Sequence, residues 1–265
     1  MNIVVCIKQV PDSAATLKVD EQSNVSWGDA ALVINPWDEY AIEEAIRLKE
    51  KFGGKVAVLT VGPEQSKEAL KQAVAMGCDE AYLISDAALV GSDALATTYI
   101  LAQAIKKLGD VDLVAFGKQA IDGDTGLVPA GVARRLDWPL LSYVAKIDEL
   151  DPGSKSIKVT RLLEQGRQSV GSRLPAVISV VKEINEPRYP SFMNIRKASK
   201  LQIPIMDAAS IGAEAGKVGK ANAAAEWIKV FPLSARTGTC EMITGDSPQA
   251  IAASLADKLM ADKVI

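Results

Sequence analysis

Short apolar runs alternating with helical stretches limit this chain to few architectures. Asn-Ile-Val-Val-Cys-Ile at residues 2–7 is continuous and β-branched, as a strand covered on both faces must be. Lys-Val-Ala-Val-Leu-Thr-Val at 55–61, Glu80 to Ser85, Val111 to Phe116 and Pro175 to Val181 have the same character. Helical stretches separate the first four runs, and another follows the fourth. The first begins at Asn35-Pro36-Trp37-Asp38 and runs to about Phe52, with Ala41, Ile42, Ala45, Ile46 and Leu48 as its apolar stripe and Gly53-Gly54 as its stop. The others cover about Glu64 to Met76, Ser92-Asp93 to Lys107, and Leu127 to Leu136. This β-α repetition predicts an α/β fold: a doubly wound, mostly parallel sheet with helices on both faces.

Local signals refine the outline. Asn35 or Asp38 is suited to cap the first helix, and Glu39, Glu43 and Glu44 place negative charge in its first turns. Pro11 should end the first strand segment, and residues 13–33 read as a small hairpin over the sheet edge. From Pro139 the pattern changes. Lys155 to Leu163 alternates as a half-exposed antiparallel strand would, and Arg167 to Gly171 can pair with it across Glu164-Gln165-Gly166. After Lys182 the chain holds Pro187, Pro190, Pro204 and Pro232, with few apolar runs. Such a stretch cannot build its own core, and it reads as a surface tail or as an arm lying on another protein. Ser247 to Met260 is an amphipathic helix, capped by Ser247, with Ile251, Leu255 and Leu259 on one face. The expected organisation is an α/β domain over 1–182 and an arm with a terminal helix over 183–265.

Several classes of function are excluded. The chain has no histidine, so no His base, shuttle or ligand is available within it. A formal net charge of −3 argues against a nucleic-acid groove or a membrane-surface patch. Cys6, Cys78 and Cys240 have no CxxC spacing, which fits a reducing compartment. No signal peptide is visible, and no apolar stretch approaches the ~20 residues of a spanning helix. The expectation is a soluble cytoplasmic protein.

The stretch with chemical potential is Gly117-Lys118-Gln119-Ala120-Ile121-Asp122-Gly123-Asp124-Thr125-Gly126, between an apolar strand and a helix start. Such a turn offers backbone N–H groups and a hydroxyl to an anion. It reads equally as a plain helix cap by Asp124 or Thr125. No GxxxxGK[ST] loop is present, nor a GxGxxG after the first strand, which argues against a P-loop NTPase or a nicotinamide dehydrogenase. A nucleotide at this turn would extend toward the other strand ends, at Cys6, Asn35 to Asp38, and Val61-Gly62.

Several ordered motifs resemble the β subunit of electron transfer flavoprotein. They are Val5-Cys6-Ile7-Lys8-Gln9, Asn35-Pro36-Trp37-Asp38 with Glu43-Glu44-Ala45, and Gly117 to Asp122 with Leu136-Asp137-Trp138-Pro139. Val159-Thr160-Arg161 with Glu164, Leu174-Pro175-Ala176-Val177, and Asn185-Glu186-Pro187-Arg188-Tyr189 complete the set. The resemblance implies an adenine-nucleotide-binding type of sheet and a heterodimer with an α subunit that holds most of a redox FAD. It implies a carrier of electrons from acyl-CoA dehydrogenases or similar flavoproteins to an acceptor, not an enzyme in its own right. It also implies a nucleotide in this chain, AMP or a second FAD. The implied cofactor positions are Cys6, Asn35, Asp38, Val61, Asp122, Gly123, Asp124, Thr125, Gly126 and Val128.

The match departs from the family at Gly126-Leu127-Val128-Pro129, where AMP-binding members commonly carry Asn-Gln-Thr-Gly. Asp122-Gly123-Asp124-Thr125 looks more like the bifurcating members, which exchange hydride with NADH, so the nucleotide leans to FAD. Pro187 to Ile195 resembles the loop that docks on dehydrogenases, with Phe192 at the apolar anchor and Tyr189 and Met193 beside it. Arg161 and Glu164 are expected to pair with each other or to reach the partner's flavin. The alternatives are a free-standing nucleotide sensor of the universal-stress type and an adenylating enzyme, the latter lacking its glycine loop after the first strand.

Overall fold

The computed structural model describes residues 1–20, 25–231 and 237–265. The apolar runs form a parallel core of strands. β1 (Asn2–Cys6) leads to a short antiparallel pair, β2 (Gln9–Pro11) with β5 (Leu32–Ile34), so Pro11 closes a small ladder instead of simply ending the strand. Between these lie β3 (Lys18–Val19) and β4 (Val25–Ser26), antiparallel as the expected hairpin, whose connecting residues 21–24 lie outside the described residues. Pro232 of the arm lies outside them too.

α1 (Pro36–Phe52) starts with proline in its first turn and ends at Gly53, whose φ of 71° suits glycine. β6 (Lys55–Val61) follows. A single 3-10 turn then precedes α2 (Lys67–Met76), so that helix is shorter than its pattern suggests. β7 (Glu80–Ile84), α3 (Ala94–Leu108), β8 (Leu113–Gly117) and α4 (Val128–Leu136) continue the alternation. Asp93 caps α3 by accepting from Ala96 N at 2.8 Å.

β9 (Leu140–Asp151), β10 (Ser156–Leu163) and β11 (Gly166–Arg173) form an antiparallel ribbon at one edge, and β12 (Ala176–Val180) returns to the centre. Farther on come α5 (Phe192–Ser199) and β13 (Ile205–Met206). Among the described residues, nine strands make one sheet in the order β11-β10-β9-β12-β8-β1-β6-β7-β13. From β9 to β13 in this order all neighbours are parallel.

Alternation along β1 distributes the helices. Ile3 and Val5 pack with Ile42 of α1 and Leu70 of α2 on one face, while Val4 and Cys6 pack with Ile100 of α3 and Val132 of α4 on the other. The fold class read from the sequence is therefore an α/β sheet, mostly parallel, with helices on both faces.

The chain divides into two compact units, Met1–Val230 and Phe231–Ile265. The division falls well after the expected 182/183 boundary. Residues 183–230 have no core of their own, but they give Ile203 to one face of the sheet and Ile211 and Val218 to the other, with β13 extending the sheet. In the second unit α6 (Pro248–Ala261) is capped as expected, with Ala250 N donating to Ser247 Oγ at 3.2 Å. Lys258 pairs with Glu241, and none of the helix residues is buried.

Candidate functional site

Order in the sheet locates the crevice. After β1 the chain builds outward through β6 and β7, then crosses back to place β8 on the other side of β1. Between β1 and β8 lies the switch point, outside whose strand carboxyl ends open α/β sheets hold their ligands. Cys6, Asn35, Asp38 and the loop after β8 converge there.

Asn35 and Asp38 do not cap α1 with their side chains. Both are buried, and both reach across to backbone far away in sequence. Asp38 Oδ2 accepts from Lys8 N at 2.8 Å and Oδ1 from Gly117 N at 3.1 Å, so one carboxylate bridges the ends of β1 and β8. Asn35 Nδ2 donates to Gln119 O at 2.8 Å, and Asn35 Oδ1 accepts from Ile121 N at 3.1 Å. The start of α1 thus fastens both sides of the crevice. Burial pushes the Asp38 carboxyl up to about 7, against the hydrogen bonds from Lys8, Asn35 and Gly117 and the Lys8 charge, which lower it. Burial and the nearby Asp38 also raise the Cys6 thiol well above its ordinary value, so Cys6 is an inert apolar contact here.

The loop after β8 is tightly folded. Asp124 N donates to Ala120 O at 2.9 Å, Asp124 takes a φ of 47°, and Gly126 takes a φ of 60°. Gln119 Nε2 donates to Asp124 Oδ1 at 2.7 Å, and Lys8 Nζ meets Asp122 Oδ2 at 2.6 Å, tying the loop back to β1. Neither Asp124 nor Thr125 caps α4, whose start has no side-chain cap. The N–H groups of Thr125, Gly126, Leu127 and Val128 have no acceptor among the described residues. Pro129 contributes none. Four free backbone donors at a helix start fit a phosphate-sized anion. Val61 ends β6, the other neighbour of β1, and shares the strand-end surface without a contact to the loop that any hydrogen bond marks.

Tyr189, Phe192 and Met193 form a second, separate cluster. They are 96%, 80% and 77% exposed at the start of α5, whose N-cap Ser191 accepts from Asn194 N at 3.2 Å. Phe192 therefore does not pack down on its own unit.

Sequence reasoning missed how this cluster is mounted. Asn185 and Arg188 bind Tyr40 O, Glu43, Glu44 and Glu50, all on α1. The signal was present as the pair of motifs Glu43-Glu44 and Asn185 to Arg188, but nothing in either named the other. Hydrogen bonds from Arg188 hold Glu50 below the ordinary carboxylate range. Arg161 does not pair with Glu164: its Nε donates to Ser142 O at 2.8 Å, Nη2 to Ser142 Oγ at 2.7 Å and Nη1 to Gln168 Oε1 at 3.2 Å. A guanidinium held in place by β9 and β11 braces the antiparallel ribbon.

Comparison with known proteins bears on this geometry. A family model described as "Electron transfer flavoprotein domain" matches residues 28–211. The electron transfer flavoprotein subunit beta of Megasphaera elsdenii is 38% identical over 274 residues, covering 100% of both chains. The chain belongs to the electron transfer flavoprotein β-subunit family. Protein FixA of Azotobacter vinelandii is 39% identical over 247 residues, covering 92% of this chain and 88% of that one. The Caffeyl-CoA reductase-Etf complex subunit CarD of Acetobacterium woodii is 39% identical over 267 residues, with 100% of each covered. As an electron transfer flavoprotein chain, it is an electron-transport protein of a flavoprotein family. Among the described residues there is no cluster of side chains suited to a metal, and no helix long and apolar enough to cross a membrane.

Proposed function

We propose that this chain pairs with an electron transfer flavoprotein α subunit, holds a phosphate-bearing adenine nucleotide at the β1/β8 crevice, and presents Tyr189, Phe192 and Met193 to a flavoprotein donor such as an acyl-CoA dehydrogenase. The observation that carries the reading is the full-length likeness to a β subunit, combined with free donors at the α4 start. The family assignment leaves the stress-type sensor and the adenylating enzyme without support. A FAD shared with the α subunit would supply the redox chemistry, accepting electrons from the donor and passing them on.

The chain's own residues act by binding and orientation. Thr125, Gly126, Leu127 and Val128 would hold phosphate oxygens through backbone N–H groups, beside the Asp122 to Gly126 turn. Asn35 and Asp38 fix the walls of the crevice through the backbone contacts described above. Cys6 and Val61 line the strand ends where the rest of the nucleotide would lie. The crevice nucleotide is AMP or a second FAD, and Asp122-Gly123-Asp124-Thr125 favours the second FAD. In that case NADH is the reductant and the protein bifurcates electrons. Those residues beyond 182 that do not pack on the sheet form the partner-facing part, and the complex works in the cytoplasm.

Nucleotide extraction from the purified heterodimer tests the crevice. Two FAD per heterodimer, or one FAD and one AMP, are the expected results; a single FAD with no second nucleotide overturns the assignment. The docking cluster has its own test. An exposed aromatic anchor contributes about 2 kcal/mol to association, so Phe192→Ala is expected to slow electron transfer from a dehydrogenase by roughly thirtyfold below saturation. Bound flavin should be unchanged. Transfer kinetics equal to the wild type would remove Phe192 from the docking surface.

A further inference from the structure

Beside the exposed apolar cluster stands one residue with an unusual set of contacts. Arg188 immediately precedes Tyr189, and its guanidinium lies across two carboxylates of α1. Nε donates to Glu43 Oε2 at 2.8 Å and Nη2 to Glu43 Oε1 at 3.1 Å. Nη1 donates to Glu50 Oε1 at 2.6 Å and Nη2 also to Glu50 Oε2 at 3.1 Å. The backbone N–H of Arg188 donates to Glu43 Oε2 as well, at 3.2 Å. Asn185 adds a second tie, donating to Tyr40 O at 3.0 Å and to Glu44 Oε2 at 3.1 Å.

Three features separate this clasp from an ordinary surface ion pair. The Glu43 side chain is only 4% exposed and already pairs with Arg47, so Arg188 is not needed merely to neutralise it. Glu43 and Glu50 lie two helical turns apart on one face of α1, and the planar guanidinium meets each with paired N–H bonds that the point charge of an ammonium cannot reproduce. The fixed point also falls beside residues with no packing of their own. Tyr189, Phe192 and Met193 are exposed, and the far end of α5 is held against α2, where Ala198 is buried.

We propose that Arg188 is a positioning residue for docking: its fork on Glu43 and Glu50 fixes the start of α5, so that Tyr189, Phe192 and Met193 meet the flavoprotein donor already arranged. The inference rests on the reading of Phe192 as the docking anchor. Its physical basis is preorganisation. A segment held in its bound geometry associates more tightly than the same contacts on a loose loop, because less freedom is lost on binding. Glu43 and Glu50 have no direct part in the contact; they act through Arg188.

The experiment uses the purified heterodimer and an acyl-CoA dehydrogenase reduced by its acyl-CoA substrate, with the rate of flavin reduction followed against heterodimer concentration. Arg188→Ala is expected to raise the half-saturating concentration by about tenfold, while the limiting rate, flavin content and reduction by dithionite stay at wild-type values. Arg188→Lys should recover part of the loss, and Glu50→Gln should shift half-saturation in the same direction by less. Glu50 is an exposed carboxylate, so this variant decides the matter if Arg188→Ala does not fold. Phe192→Ala serves as the reference. If it raises half-saturation and neither Arg188→Ala nor Glu50→Gln does, the positioning role is overturned and the docking reading stands. If none of the three moves it, the docking reading fails and the inference with it. A fall in limiting rate and melting temperature that Arg188→Lys does not recover assigns the clasp to stability alone and overturns the proposal.

Discussion

Gly117→Ala is expected to destabilise the chain by about 3 kcal/mol and, on the proposed reading, to weaken any nucleotide binding at the crevice. Gly117 is the last residue of β8, and α1 crosses directly over it. A Cβ there would stand 2.5 Å from Asp38 Oδ1, 2.5 Å from the Trp37 carbonyl carbon and 2.7 Å from Trp37 Cβ. Two of these atoms lie on or next to the backbone of the first turn of α1, so no flexible side-chain end can swing aside. Relief requires α1 to lift from β8, and that breaks the 3.1 Å bond from Gly117 N to Asp38. For a chain of this size the melting temperature should fall by about 6–12 °C. Thermal unfolding and nucleotide content of the variant check both effects. A melting temperature within a degree of wild type would show that the close approach is not a constraint.

The second large effect is a pH dependence centred on Asp38. Its carboxyl titrates at about 7 in the folded chain, against an ordinary 3.8. The folded state therefore holds a proton through a pH range in which the unfolded state has lost it. The corresponding stability is fully present below pH 3.8 and is lost as pH rises through 7, by on the order of 4 kcal/mol in all. Asn at this position is a neutral analogue of the protonated acid. Asp38→Asn removes the titrating proton but also one of the two acceptors for Lys8 N and Gly117 N, so the variant is expected to be less stable than wild type near pH 4 and to lack the wild type's fall in stability between pH 4 and pH 8. Denaturant midpoints at both pH values measure the difference, and parallel profiles would mean that Asp38 titrates normally. The wild-type residue is thus costly near neutrality, and its gain is geometric: two carboxylate oxygens hold Lys8 N and Gly117 N across the switch point. Such costs concentrate at working sites.

Asp38 also shows where sequence reading stops. Asn35 and Asp38 stand where capping residues stand, and local logic assigns them to the helix start. Their partners are contributed by the segment after β1, by the last residue of β8 and by the loop that follows it, up to 86 positions away. Only the order of strands in the sheet makes those neighbours, and no local pattern carries that order. Arg188 and Glu43 are separated by 145 positions and were opaque for the same reason. By contrast, the parallel strands were legible because burial on both faces leaves an unbroken apolar run, as in Val4-Val5-Cys6 or Val177-Ile178.

β9 escaped because it is irregular. Tyr143 has a φ of 56°, and the register shifts against both neighbours, so the alternation that marks a half-buried strand is lost. β13 is two residues long, and α5 has only Ala198 buried. Neither leaves a periodic trace long enough to read. The loop after β8 was legible as a turn offering backbone N–H groups, and those of residues 125–128 have no acceptor among the described residues.

β13 has a consequence for how this chain is made. Its two residues lie along β7, with Leu83 N donating to Pro204 O at 3.1 Å and Ser85 N to Met206 O at 3.0 Å. Synthesis proceeds from the N-terminus, so β7 leaves the ribosome long before the segment that covers it. Throughout that interval the nascent chain presents a bare strand edge, a template for pairing with another copy. Molecules truncated before Pro204 would keep that edge for good and would also lose Ile211 and Val218 from one face of the sheet, so self-association would follow from the missing strip of backbone together with newly bared apolar surface.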